Sequence, residues 1–267
     1  MTNDLITCSD ADGVVTLELQ TATMAPAFFD AIDVAFEAIA ADDTVRAVVV
    51  RSSQKAFSYG LDLPAAFASH GDLFGNNLAA GRTKLLALIK RWQGAFSRIA
   101  TCPVPVIAAM HGWCIGGALD LASACDIRLA SADAKISLRE TRVAIVADLG
   151  SLQRLPRLIG SGLTRELAFT GRDVTADEAL RIGLVNAVHA DRDAVHAAAD
   201  AMARQIAANP PLVVRGVKDV LDHSEGRPVQ DGLDYVAAWN AAFLASEDLG
   251  EALQAFIERR DPVYRGR

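Results

Sequence analysis

The chain has 267 residues, a formal net charge of −7, 51% hydrophobic residues and 22% charged ones. That composition excludes long disorder, and a core of this size needs no disulfide staples. The acidic balance argues against nucleic acid or an anionic membrane as the main partner, since both want a basic patch.

Val14 to Leu19 is a short β-rich run, and Ile32, Ala35, Phe36 and Ile39 lie at helical spacing. Val45 to Arg51 carries Val48-Val49-Val50 between acidic and serine pairs, the pattern of a buried strand. Leu85, Leu88, Ile89, Trp92, Phe96 and Ile99 repeat every three or four residues and predict a long amphipathic helix, ended by Pro103 and Pro105. Val106 to Ala109, Ile127 to Ala130 and Lys135 to Leu138 follow as strands. Strand and helix alternating in this way predict an α/β fold, a sheet covered by helices. Beyond residue 150 the chain turns nearly all helical: Leu163 to Thr170, a capping box at Thr175 to Glu178, then Asp193 to Ala208, Pro211 to His223, Val229 to Ala245 and Glu247 to Arg260.

Cys8, Cys102, Cys114 and Cys125 form no C-x-x-C pair and read as small hydrophobes. Met1 to Asp10 holds two aspartates and no basic residue, unlike a secretory signal, and the ending Arg265-Gly266-Arg267 is not a peroxisomal address. The longest apolar run, Val104 to Met110, is too short to span a bilayer. The expectation is a cytoplasmic protein.

Three segments carry the chemistry. Gly116-Gly117 opens a helix, Ala118 onward, that is apolar almost all round and therefore buried, with free N–H groups at its start. The structural alternative is that the two glycines serve only close packing. Lys55 to Leu63 leaves the Val48-Val49-Val50 strand at its C-terminal end, where α/β sheets bind ligands. Asp120, Glu140 and Asp148 are carboxylates in apolar company, suited to proton transfer. Each has a plainer reading. Asp120 favours the helix dipole, Asp148 caps a helix near Leu149, and Glu140 pairs with Arg139 or Arg142.

The segments Ala56 to Leu63, Ile115 to Asp120 and Ala124 to Arg128 resemble the crotonase (enoyl-CoA hydratase/isomerase) superfamily, and the likeness extends through Leu152 to Gly160, Thr175 to Val185 and Ser246 to Arg260. The resemblance implies a ββα spiral core over 1–200, a helical C-terminal trimerisation region over 201–267, and an acyl-CoA thioester substrate. It implies no metal, and no cofactor beyond the coenzyme A that is part of the substrate. It places an oxyanion hole at the amides of Leu61 and Gly117, and substrate contacts at Ser58, Tyr59, Gly60, Asp62, Leu63 and Gly116. The trio Asp120, Glu140 and Asp148, spaced by 20 and then 8 residues, is similar to that of Δ3,5-Δ2,4-dienoyl-CoA isomerases. In that likeness Glu140 takes a proton from C2, Asp148 delivers one to C6, and Asp120 tunes the pair. Glu140 is then expected ionised and Asp148 protonated. Alternatives are an enoyl-CoA hydratase, with Asp120 and Glu140 holding water, and an acyl-CoA-binding scaffold without turnover. A homotrimer or dimer of trimers is the implied assembly.

Three positions depart from the isomerase pattern. Arg142 stands in place of an acidic residue and is expected to favour ionised neighbours. Ala144 replaces a glycine and puts a methyl where the backbone needs freedom. Pro64 replaces a lysine that some relatives place near the coenzyme A phosphates.

Overall fold

A computed structural model describes residues 4–75 and 78–267. The chain opens with β1 (Ile6–Ala11) and β2 (Val14–Leu19), an antiparallel hairpin, then α1 (Pro26–Ala41) and β3 (Ala47–Ser52). Next come α2 (Leu63–Phe74), α3 (Ala79–Ala100), β4 (Val106–Met110), β5 (Trp113–Ile115), α4 (Gly117–Ala124), β6 (Ile127–Ser131) and β7 (Lys135–Ser137). A 3-10 turn, Glu140–Val143, leads to α5 (Ser151–Thr170), β8 (Asp173–Thr175), α6 (Ala176–Arg181) and β9 (Ala187–His189). Four helices finish the chain: α7 (Arg192–Ala207), α8 (Pro211–Ser224), α9 (Val229–Phe243) and α10 (Glu247–Glu258).

The main sheet has the order β1-β2-β3-β4-β6-β9, parallel from β2 onward, and β5-β7-β8 form a second, smaller sheet. The unbroken apolar run in β3 is explained by burial on both faces. Val48 and Val50 face the larger core with Phe29, Phe36, Trp92 and Phe96. Ala47 and Val49 face the other way, against Val195, Ala199 and Ala203 of α7. Small residues on α7 let that helix lie close to the sheet.

Residue 200, the expected end of the core, lies inside α7, which packs on the sheet through Val195, Ala199, Ala203 and Ala207. The tail is pinned to the core by Lys218, buried and paired with Asp126 at 2.8 Å, and by Arg215, which donates to Asp43 at 3.0 Å. Among the described residues no helix is long and apolar enough to cross a membrane.

Candidate active site

The loop after β3 is stitched across the start of the second sheet. Phe57 N–H donates to His111 O (2.8 Å), Ser58 N–H to Trp113 O (3.0 Å) and Ile115 N–H to Ser58 O (3.1 Å). Gly60 holds φ +82°, and a Cβ there would overlap the Ile115 carbonyl oxygen and lie 3.0 Å from the Gly117 nitrogen. Met24 brackets the next residue: its N–H donates to Gly60 O (2.8 Å), and its carbonyl accepts from Asp62 N–H (3.0 Å). The Leu61 amide between them is passed over. On the other side Gly116, at φ +55°, turns the chain into α4 so that Gly117 is its first residue, where an N–H has no partner within the helix. Neither the Leu61 nor the Gly117 amide donates to another main-chain carbonyl among the described residues. The Leu61 nitrogen lies 3.5 Å from a Cβ placed on Gly117. Two free donors therefore stand side by side.

Both residues line a cavity of about 270 Å³, together with Asp120, Glu140 and Asp148. Asp120, on α4, is 0% exposed. One of its oxygens accepts from Ser151 N–H at 2.5 Å, which caps the start of α5, and the other has no partner. Glu140 begins the 3-10 turn beside Gly116, with Oε1 3.2 Å from a Cβ placed on that glycine and Oε2 buried without a partner. A side chain at 116 would crowd this carboxylate.

Burial raises all three carboxyl groups. Glu140 is pushed up to about 7 by desolvation, then by the charges of Asp120 and Asp148. Asp120 is pushed up to about 6 by desolvation, partly offset by the Ser151 hydrogen bond. Asp148 is raised by burial and pulled back by its own main-chain amide. Burial thus raises Asp148, the group expected to be protonated, and it raises Glu140, the group expected to be ionised, as well.

The plainer readings of Glu140 and Asp148 give way, whereas Asp120 does sit in the first turn of α4, as the helix-dipole reading expects. Glu140 takes part in no ion pair among the described residues. Arg139 instead pairs with Asp173 at 2.6 Å and lies over the Trp113 ring at 4.7 Å. Arg142 turns away from Glu140 toward the Thr170 carbonyl and the backbone of Gly171, so its charge bears on Asp173. Asp148 caps no helix, because α5 starts at Ser151 with Gly150 at its N-cap. Ala144 does sit in the left-handed region, at φ +59°. Pro64 occupies the first turn of α2, where a missing N–H costs nothing.

Of the six residues expected to touch substrate, Tyr59, Leu63 and Gly116 line the cavity. Ser58, Gly60 and Asp62 do not. Ser58 is buried and ties the loop internally, donating to Ala22 O and accepting from Gly60 N–H. Asp62 caps α2 by accepting from Ala65 N–H and also accepts from the Thr23 hydroxyl. Sequence reasoning missed Ile115, Arg139, Val143, Ile145 and Leu149 in the lining. The signal for the last two was present, since Ile145 and Leu149 are apolar residues of the loop that carries Asp148.

The enoyl-CoA hydratase/isomerase family model matches residues 11–267. A protein of Dictyostelium discoideum named mitochondrial Δ(3,5)-Δ(2,4)-dienoyl-CoA isomerase is 42% identical over 231 residues, which is 86% of this chain and 78% of that one. The protein of the same activity name from Arabidopsis thaliana, called peroxisomal, is 40% identical over 89% of this chain and 86% of its own. An enoyl-CoA hydratase from Bacillus anthracis superposes with a TM-score of 0.89 at 30% identity, covering 98% of this chain and all of that one. The cytoplasmic location expected above is corrected by these relatives, which are named as organellar. A first segment poor in basic residues was too thin a basis for it. With the fold, the paired amides and the family match in agreement, the chain belongs to the enoyl-CoA hydratase/isomerase family.

Proposed function

We propose that this protein converts 3,5-dienoyl-CoA into 2,4-dienoyl-CoA. The observation that carries the reading is the presence of three carboxylates, not two, around one largely apolar cavity beside two free amides. The relatives named as dienoyl-CoA isomerases support it.

The thioester oxygen accepts from the Leu61 and Gly117 amides. Glu140 removes a proton from C2, and the C–H electron pair forms C2=C3. The former C3=C4 pair becomes C4=C5, and the C5=C6 pair takes a proton from Asp148 at C6. In between, charge rests largely on the thioester oxygen. Donors already aimed at that oxygen are worth about 10²–10³-fold in rate each. Gly117 adds the positive end of α4. C6 is four bonds from C2, so a single carboxylate near C2 does not serve both ends. A Glu140 pKa of about 7 suits a base working at neutrality. Asp120, with one oxygen committed to Ser151, is a fixed neighbour whose charge raises Glu140. The chemistry asks for no cofactor and no metal beyond the substrate's own coenzyme A.

A homotrimer or dimer of trimers fits the apolar side chains that α8 and α10 leave uncovered, among them Val217, Leu221, Phe256 (84% exposed) and Ile257 (79% exposed). Light scattering measures that mass directly, and a monomer at micromolar concentration refutes it.

The reaction is tested by offering 3,5-dienoyl-CoA and 2-enoyl-CoA to one preparation. Isomerisation raises the absorbance of a conjugated dienoyl thioester, whereas hydration of the 2-enoyl compound lowers absorbance. A protein that only hydrates, or only binds, refutes the proposal.

A further inference from the structure

Asp148 sits within 145–150, a stretch with neither helix nor strand. At one end Ile145 N–H donates to Glu140 O (3.0 Å), and at the other Gln153 and Arg154 N–H groups donate to Gly150 O (3.1 and 3.0 Å). Between these ties, Val146, Ala147, Asp148 and Leu149 make no main-chain to main-chain bond among the described residues. Two side chains hold the gap. Gln93 Nε2 donates to the Asp148 carbonyl at 2.6 Å, and Arg154 reaches the Leu149 carbonyl at 3.4 Å. The first is much the better bond.

Gln93 comes from a rigid place. Its neighbour Trp92 is buried and stacks on Phe29 with ring centroids 4.8 Å apart, and Phe96 packs on the same ring at 5.4 Å. Gln93 itself is not part of the cavity lining. We propose that Gln93 is the positioning residue for Asp148, fixing the carbonyl of a residue whose carboxyl must meet C6 and so setting how often a substrate deprotonated at C2 is reprotonated at C6. This rests on the isomerase reading above.

The residue type fits the task. An amide donates without a charge, whereas Lys or Arg at 93 would place a cation near Asp148 and favour its ionised form. Burial keeps the Asp148 carboxyl raised. A group that has to give up a proton needs that environment. A shift of about 1 Å in a reacting group costs on the order of 10²-fold.

The test follows two rates in D2O with 3,5-dienoyl-CoA: deuterium entering C2 of recovered substrate, and formation of the 2,4-diene. Gln93→Met keeps the length and removes the donor. It is expected to lower isomerisation ~10–100-fold while C2 exchange stays within about threefold of the parent. Gln93→Glu donates only when protonated, so its isomerisation relative to the parent is expected to recover as pH falls from 8 to 5. Equal losses in both rates, or no change in their ratio in either variant, overturn the assignment, because a merely loosened helix or loop slows both. A parent that exchanges C2 but never isomerises removes the isomerase reading itself, and this inference with it.

Discussion

Gly60→Ala separates a spacing role from a contact role at the proposed oxyanion hole. The glycine does not line the cavity, yet its missing side chain is what lets Leu61 and Gly117 stand together. A Cβ would overlap Ile115 O and lie 3.0 Å from Gly117 N, where ordinary contact begins near 3.4 Å. The loop therefore has to retreat by several tenths of an ångström, carrying the Leu61 amide with it. Hydrogen bonds to a developing oxyanion tolerate little misplacement, so the variant is expected to lose about one donor's worth of rate, on the order of 10²–10³-fold in kcat, or ~3–4 kcal/mol. Alanine at φ +82° also costs ~1–2 kcal/mol of stability, a few degrees in Tm for a chain of this size. Gly13→Ala is the control. That residue has φ +79° and a similarly crowded neighbour in Thr44 O, and it belongs to the β1–β2 turn rather than the cavity lining. It should show a comparable fall in Tm with kcat within about twofold. The assay is dienoyl-CoA conversion at 25 °C beside a thermal melt of each variant. If Gly60→Ala keeps more than a third of the parental kcat, or if Gly13→Ala loses activity equally, the oxyanion-hole argument is refuted.

Other outcomes follow from the same geometry. Asp148→Asn should abolish isomerisation and leave C2 exchange, whereas Glu140→Gln should abolish both; mass spectrometry of recovered substrate distinguishes them. Glu140, with a folded pKa of about 7 against an ordinary 4.5, binds its proton more tightly in the folded state. Stability is therefore lost as pH rises from 4.5 to 7. Glu140→Gln should melt higher than the parent at pH 8, by on the order of 2–3 kcal/mol, and equally at pH 4; an unchanged difference across that range contradicts it. His196 has the opposite sign. It is buried beside His111, with rings 5.2 Å apart, and is held down to about 4, so the folded state loses stability as pH falls from 6.5 to 4. His196→Leu should flatten that acid limb in melts taken at pH 7 and pH 4.5. Ala144→Gly should raise Tm by ~2–4 °C by removing a methyl from a φ of +59°, and an unchanged or lower Tm would show that no strain is stored there.

Much of the architecture was legible because it follows from periodicity. The strand Val14–Leu19 and the helix starting at Pro211 were read to the residue at their starts, and β3, β4, β6 and β7 within about two residues. The elements that escaped lack such a signature. β1 is half polar and depends on its partner β2 for its register. α2 hides behind Gly71 and a non-helical His70. α5 is two helical segments joined at a kink, where Gly160 leaves the helical region at φ +80°; the pattern from Leu163 marks the second segment and misses the first, which contains Pro156.

Sequence by itself determined the chemical cast: glycines at the start of a buried helix, and three carboxylates in apolar company at fixed intervals. These are local properties, set by residue type and by short spacing along the chain. What each side chain does was decided only by tertiary structure. Ser58 and Asp62 look identical in kind to cavity residues, yet their oxygens are spent on the loop and on α2. Arg139 and Arg142 lie within two positions of Glu140 in sequence and leave it unpaired. Gln93 meets Asp148 across 55 positions. A carboxylate's proton affinity depends on the dielectric and the charges around it in space, and no spacing along the chain records where distant segments come together.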